Sequence, residues 1–289
     1  MRSFATLCLA AIFAGNAAAQ DAAALRARHA ALEGRLAASP FGRPLHVESK
    51  VSGGEHRGEV YAVVAHPYRA VAPALARPDH WCDILLMQVN VKRCDVDGQD
   101  VTALITRKPR QSAEDAYRVA FGFHLPAATH DYLRVALTAA GGPVGTSDYR
   151  IVLEALPLGE GRTFLHMSYS YTLGFTARVA MDAYLAGSGR DKVGFSIISR
   201  TAEGQPVYAS GVHGMIERGA MRYYLAIEAF LGALDAPPEQ QLEARLREWY
   251  AGTQRYPQLR ERVSAAEYLE MKRREPPPPP GRSRASSAG

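Results

Sequence analysis

Beyond residue 20 the sequence has no run of about 18 uncharged apolar residues, which excludes a multi-spanning membrane protein. It has no G-x-S-x-G elbow, no H-E-x-x-H, no P-loop, no G-x-G-x-x-G and no His-x-His pair. The common hydrolase, metalloprotease and nucleotide-binding motifs are therefore missing, and no cofactor or metal is implied. Cysteine is scarce, with three in 289 residues, so this is not a disulfide-dense miniature scaffold. Apolar residues make up 47% and charged residues 22%, which excludes global disorder and leaves enough for a substantial core.

The first nineteen residues have the composition of an export signal. Arg2 supplies the positive start, Phe4 to Ala14 an apolar stretch, and Ala17-Ala18-Ala19 the small-residue cleavage pattern before Gln20. Export removes Cys8 and leaves Cys82 and Cys94, twelve positions apart. In an oxidising compartment they are expected to pair, closing a loop that stabilises by about 3 kcal/mol in the chain-entropy model. The alternative is two buried thiols.

The formal charge of +5 is not a property of the body. Arg2 carries one unit. Lys272, Arg273, Arg274, Arg282 and Arg284 against Glu275 carry the rest. A neutral body argues against nucleic acid as a partner. The tail is expected to be solvated, or to make a weak contact with anionic membrane.

Leu25, Leu32 and Leu36 predict an amphipathic helix over 22–38, ended by Ser39-Pro40. A Gly-rich stretch, 52–58, follows. Residues 59–64 read as a strand, 67–77 as a helix opened by Pro67, and 82–85 as a short helical turn. Residues 87–92 alternate as a strand, with Asn90 and Lys92 on one side; an inward Lys92 needs a partner, an outward one faces water. Asp97-Gly98 signals a hairpin with a return strand over 101–107. Strands are expected over 117–125, 132–138, 149–155 and 163–172. The first of these strands places Val119, Phe121, Phe123 and Leu125 on one face, and the last places Leu165, Met167, Tyr169 and Tyr171 opposite His166. A helix over 175–186, a hairpin spanning 192–217 and a helix over 219–234 complete the body. Helices over 239–250 and 264–274 follow, the second opened by Ser264-x-x-Glu267. Pro276 to Pro280 and the Gly/Ser/Arg end read as disordered.

The candidate ligand-binding residues are His166, Tyr169, His213, Glu217, Arg222 and Tyr223. His213, Glu217 and Arg222 form a His/Glu/Arg group able to do acid–base work or hold an anionic group, or else a salt-bridge network at a strand-to-helix junction. The sheet tyrosines Tyr61, Tyr117, Tyr169, Tyr171 and Tyr208, with Tyr223 and Tyr224, could line an amphipathic pocket or pack the core. Trp81 is expected to cover the disulfide. No catalytic residue is assigned.

The order strand (59–64), helix (67–77), Pro78-Asp79-His80-Trp81 into a short second helix, then antiparallel strands, resembles the helix-grip fold of the START and polyketide-cyclase-like superfamily. The resemblance covers roughly 58–186. Arg162-Thr163-Phe164-Leu165-His166 resembles the late strand, and the helix over 175–186 the closing helix. The hairpin and the helix over 219–234 lie where such domains normally stop, so either helix can be the gripping one. The resemblance implies an α+β fold in which a curved antiparallel sheet packs on a long C-terminal helix, with extra N- and C-terminal helices. It also implies an apolar cavity for a lipid or other hydrophobic small molecule. The expected organisation is a signal over 1–19, a helix and linker over 20–57, one START-like domain over 58–235, a helical extension over 236–274 and a tail over 275–289. The function expected is a periplasmic binding or carrier protein for a hydrophobic molecule. A cell-envelope interaction protein, or an enzyme with scattered His/Glu/Arg residues, is the alternative.

Intact-mass measurement on protein recovered from the periplasm is expected to give a chain beginning at Gln20 and lighter by two hydrogens than its reduced form. A chain that keeps residues 1–19 overturns the export reading.

Overall fold

The computed structural model describes residues 4–275 except 160, 188, 261 and 262, with side chains from residue 18 onward. Ten strands and seven helices are present among them. The N-terminal helix α1 (Phe4–Ala37) is followed by the hairpin β1 (Leu45–Ser52) and β2 (Glu55–Val64). Gly53 and Gly54, at φ +58° and +88°, make its two-residue turn, a conformation that glycine takes without strain. Residues 45–57, read from sequence as linker, thus form β1 and the start of β2.

Two short helices come next, α2 (Tyr68–Leu75) and α3 (Pro78–Leu86), the latter begun by Pro78 in its first turn. A meander then runs through β3 (Val91–Asp97), β4 (Asp100–Ile105), β5 (Tyr117–Ala128), β6 (Leu133–Gly141), β7 (Thr146–Pro157) and β8 (Thr163–Leu173). The large sheet is antiparallel throughout, in the order β1-β2-β8-β7-β6-β5-β4-β3. Helix α4 (Phe175–Ala186) leads to a small hairpin, β9 (Ile197–Arg200) and β10 (Pro206–Tyr208). The chain ends in α5 (Gly211–Gly232), α6 (Pro238–Arg255) and α7 (Ala265–Arg274).

The gripping helix is α5, not α4. Met221, Tyr224, Leu225 and Ile227 of α5 are buried with Val60, Ala62, Leu153, Leu165 and Met167 of the sheet in one core. Gly58 on β2 makes this possible: a Cβ there would stand 2.8 Å from the Ile216 carbonyl oxygen and 2.9 Å from the Ala220 Cβ. Trp249 of α6 closes over α5 from behind and donates through its indole nitrogen to the Arg222 carbonyl at 3.2 Å. Helix α4, by contrast, buries only Ala177 and leaves Phe175 83% exposed.

On the other face of the sheet, Ala22, Leu25, Leu32 and Leu36 of α1 pack on Tyr61, Tyr132, Leu156 and Phe164. Cys82 and Cys94 are bonded and fully buried, tying α3 to β3. Trp81 is buried beside them and donates to the Leu75 carbonyl at 2.8 Å.

Three sequence expectations change. Residues 87–90 are a turn rather than the start of a strand, because Met87 continues the right-handed helical backbone of α3 and is itself buried. Residues 211–217 are the first turns of α5, not a strand. Gly211, at φ +59°, turns the chain there, and Gly214 lies so close to Ala209 that a Cβ would come within 2.8 Å of its carbonyl. Leu125 is exposed, unlike Val119, Phe121 and Phe123, because the β5–β6 register shifts between His124 and Ala127.

Helix α7 docks through Tyr268 and Leu269, buried in the main core, and through charge. Its Ser264 cap accepts from the Glu267 backbone at 3.2 Å. Lys272 is buried, donating to the Val91 carbonyl and to Glu275, each at 2.7 Å. Lys92 points inward and finds its partner in the same carboxylate, 3.2 Å away. Burial pushes Lys272 down to about 8, against the pull of Glu275. Between pH 8 and the ordinary lysine range the unfolded chain therefore holds a proton that the folded chain does not, so this group makes stability rise with pH. The free energy of urea unfolding is expected to gain about 2 kcal/mol from pH 8 to pH 10 relative to Lys272→Met. Parallel pH profiles for the two proteins would refute the buried-lysine account.

Candidate functional site

The inner face of the sheet carries tyrosines where β7 begins and β8 ends. Tyr149, Tyr169 and Tyr171 point to that face, and Tyr223 of α5 brings its ring to 4.9 Å from Tyr169. Tyr149 stacks on Tyr171 at 5.5 Å, and Tyr169 tilts against Tyr171 at 5.6 Å. Helix α4 forms the opposite wall with Ala177, Ala180, Met181 and Tyr184, while Arg107 and the Pro143–Thr146 turn complete the rim. The result is an open cleft of about 330 Å³, within the size range of small-molecule sites.

Glycines set the ring positions. A side chain at Gly142 would overlap the Tyr149 ring, and one at Gly189 the Tyr184 ring. At Gly219 a Cβ would stand 3.0 Å from Tyr169. Val144, on the rim, has φ 59° and ψ 33°, the left-handed region that disfavours a β-branched residue and costs roughly 1–3 kcal/mol.

The chemistry of the cleft is that of neutral phenols. Burial raises the pKa of Tyr149, Tyr169, Tyr171 and Tyr223, so each keeps its proton at pH 7. Tyr149 shares a hydrogen bond with the Thr146 hydroxyl at 2.8 Å. Behind Tyr171, at 5.7 Å, lies the ring of His56, which is 6% exposed and whose Nδ1 has no hydrogen-bond partner among the described residues. Burial, with the charges of Arg178 and His213, lowers its pKa and keeps the imidazole neutral.

The six residues expected to bind ligand do not come together. Tyr169 lines the cleft and Tyr223 backs it. His166 is on the opposite face of β8, beneath α1, so it shares no ligand with Tyr169. There it stacks on Tyr61 at 4.5 Å and its Nδ1 lies 2.8 Å from Glu154. Its Nε2 is 4.0 Å from Glu59.

His213 and Glu217 meet through Ser49, whose hydroxyl is 3.0 Å from the His213 Nδ1 and 2.7 Å from the Glu217 carboxylate. Glu217 is fully buried and also accepts from the backbone nitrogens of Phe195 and Ser196, at 2.6 and 2.9 Å. The carboxylate thus binds the hydroxyl rather than the far side of the imidazole, which is not the arrangement of a charge-relay triad. It holds the 193–196 segment against α5. Arg222 turns away from this pair, with its guanidinium 3.4 Å from the Leu259 carbonyl.

Sequence reading missed Tyr149, Tyr184, Met181, Arg107 and His56. Alternation along 149–155 places Tyr149 with Ile151 and Leu153 on the inner face, and that signal was available. The contribution of α4 was not, since it depends on how the helix folds back over the sheet end.

No protein-family model matches the chain, and no curated protein is significantly similar to it. Among solved structures it is similar to norcoclaurine synthase from Thalictrum flavum in complex with dopamine and hydroxybenzaldehyde. That pair is 13% identical over 47% of this chain and 78% of the synthase, with a TM-score of 0.34. It is similar to Ara h 8.0201, 10% identical over 62% of this chain and 99% of that one, TM-score 0.36. A conserved protein from Enterococcus faecalis is 10% identical over 73% of this chain and 92% of its own, TM-score 0.33. The architecture is helix-grip-like. These are distant likenesses of fold, and the reading stands on the sheet and α5 themselves.

Gly142→Ala is expected to lower stability by about 1–3 kcal/mol and to change the near-ultraviolet tyrosine dichroism, because Tyr149 must move. Gly141→Ala, which meets open space, should change neither. Equal effects at the two positions would show that Gly142 does not set the ring.

Proposed function

We propose that the protein is an exported, non-catalytic carrier that binds a small hydrophobic molecule with a polar end in the tyrosine cleft. The observation that carries this reading is the cleft itself: a ring-lined apolar wall, neutral hydroxyl donors and one guanidinium, Arg107, at the rim. A ligand with a flat apolar body and an acceptor group suits that lining. The space between the sheet and α5 is filled by Phe121, Leu153, Met167 and Tyr224, so the cleft at the sheet end takes the role that the resemblance gave to a central cavity. Its volume suits a single ring system or a short chain rather than a two-tailed lipid.

Export is supported by the composition of residues 2–19 and by the Cys82–Cys94 bridge, which an oxidising compartment preserves. Contact of the tail with anionic membrane has less support. Lys272, Arg273 and Arg274 are engaged by Glu275, Glu243 and Glu270, leaving Arg282 and Arg284, which lie outside the described residues. Two such charges supply about 2 kcal/mol near an anionic surface. The alternative of an envelope interaction protein called for open apolar faces on 22–38 or 239–274. Those faces are covered by the protein's own sheet and α5.

Native and denatured masses of protein purified from the periplasm without detergent test the reading. An extra mass of small-molecule size is expected, lost on denaturation. It should be lost also in Ala180→Trp, which fills the cleft from the exposed side of α4. Absence of the extra mass in the unaltered protein, or its persistence in a folded Ala180→Trp, removes the carrier reading.

A further inference from the structure

A second concave surface lies away from the tyrosine cleft, where the 39–44 linker, the 191–195 segment, β10 and the end of α6 converge. It is a groove of about 560 Å³ lined by Phe41, Phe195, Tyr208, Tyr256 and Pro257, with Asp191 and Arg255 at its edge. Three of its rings form a nearly equilateral set. Phe41–Phe195 and Phe41–Tyr256 are each 5.8 Å apart and Phe195–Tyr256 is 5.9 Å, and all three pairs are strongly tilted. Phe41 and Tyr208 are half-buried, so their rings are open to a visitor.

Tyr256 is 6% exposed, with the Arg255 guanidinium beside its oxygen, and its hydroxyl proton finds no acceptor among the described residues. Burial raises its pKa, while the Arg43 and Arg255 guanidiniums pull the other way, and the group stays a protonated donor. A buried hydroxyl left unmatched costs about 1–3 kcal/mol, a cost that an acceptor from outside would relieve.

A row of aromatic rings with a free donor is what a polyproline helix requires. Its pyrrolidine rings pack on aromatic faces, and its carbonyls are acceptors with no N–H of their own to satisfy them. The chain carries such a segment, Pro276–Pro280, followed by Gly281 and Arg282; it lies outside the described residues. We propose that the groove binds Pro276–Pro280 of a second copy of this chain, with Arg282 facing the Asp191 carboxylate.

Geometry places the contact between copies rather than within one. Helix α7 runs antiparallel to α6: Arg273 pairs with Glu243 at 2.6 Å, and Tyr268 packs on Trp249 at 5.3 Å. Glu275 is therefore near the start of α6, and Tyr256 just past its end, about 20 Å away at the rise of a helix. Five prolines span about 15 Å and begin at Glu275, so the run stops short of its own groove. Exchange of tails between two copies fills both grooves and closes the assembly.

The test is anisotropy of a labelled peptide of residues 275–284 titrated with the full-length protein, beside sedimentation of the protein over a range of concentrations. Saturable binding below ~1 mM is expected, weakened about three- to tenfold by Tyr256→Phe and lost when alanine replaces the five prolines. Self-association that excess peptide disperses is expected in sedimentation. No saturation by ~1 mM, equal affinity for Tyr256→Phe, or a protein monomeric at every concentration would each overturn the proposal. Phe41→Ala gives a second reading of the groove, with circular dichroism confirming that the variant is folded.

Discussion

The closeness of α5 to β2 governs the rest of the molecule, and it depends on the missing side chain of Gly58. With no Cβ there, the helix backbone at Ile216 and the methyl of Ala220 rest directly on the strand. That depth lets one helix be surrounded, by the sheet in front and by α6 behind. Ala220, Ala226 and Ala229 are consequently buried although they lie on different sides of α5. The same depth fixes what α5 presents at its start. Gly219 and Tyr223 come under Tyr169, and Glu217 reaches the backbone of 195–196. A helix one side chain farther away would make neither contact.

The two faces of β8 divide the polar chemistry. The inner face, toward α5, is apolar until its last residues, where the tyrosines appear. Their hydroxyls are kept neutral by burial, which suits recognition without charge. The outer face holds ionisable groups instead. His166, Glu154, Glu59 and Tyr61 are linked along the sheet under α1, with the Tyr132 hydroxyl 2.5 Å from Glu154. Burying such groups beneath a helix is tolerable only because nearly every one has a partner. The network therefore acts as a seat for α1, and the candidate site is left to the opposite face.

Much of the architecture was legible because it follows from local period and punctuation. The 175–186 helix, the capping box at Ser264, the Asp97-Gly98 turn and the alternation of 163–172 depend on neighbours in sequence. The site was less legible. Tyr169 and Tyr223 are visible as inward residues, but Val207 to Glu217 alternates well enough to read as a strand, which puts His213 and Glu217 at a strand end rather than on a helix. Gly214 shows its purpose only when Ala209 and Gly194 are seen packed against it. Lys92 could have faced either way from its strand, and its inward turn depends on Glu275, far along the chain.

Composition and periodicity by themselves determined a mixed chain of helices and strands with a neutral body, two cysteines placed to pair, a meander of inward-facing apolar strands and amphipathic helices at both ends. These are local properties, set by which residues recur every two or every three to four positions. The tertiary structure alone decided that α5 rather than α4 is gripped, that the interior is filled, and that open space lies at the sheet end and beside Tyr256. An inward-facing side chain reads the same in sequence whether it meets another side chain or a cavity. Only the depth to which helices approach the sheet, set here by glycines whose contacts come from distant segments, distinguishes the two.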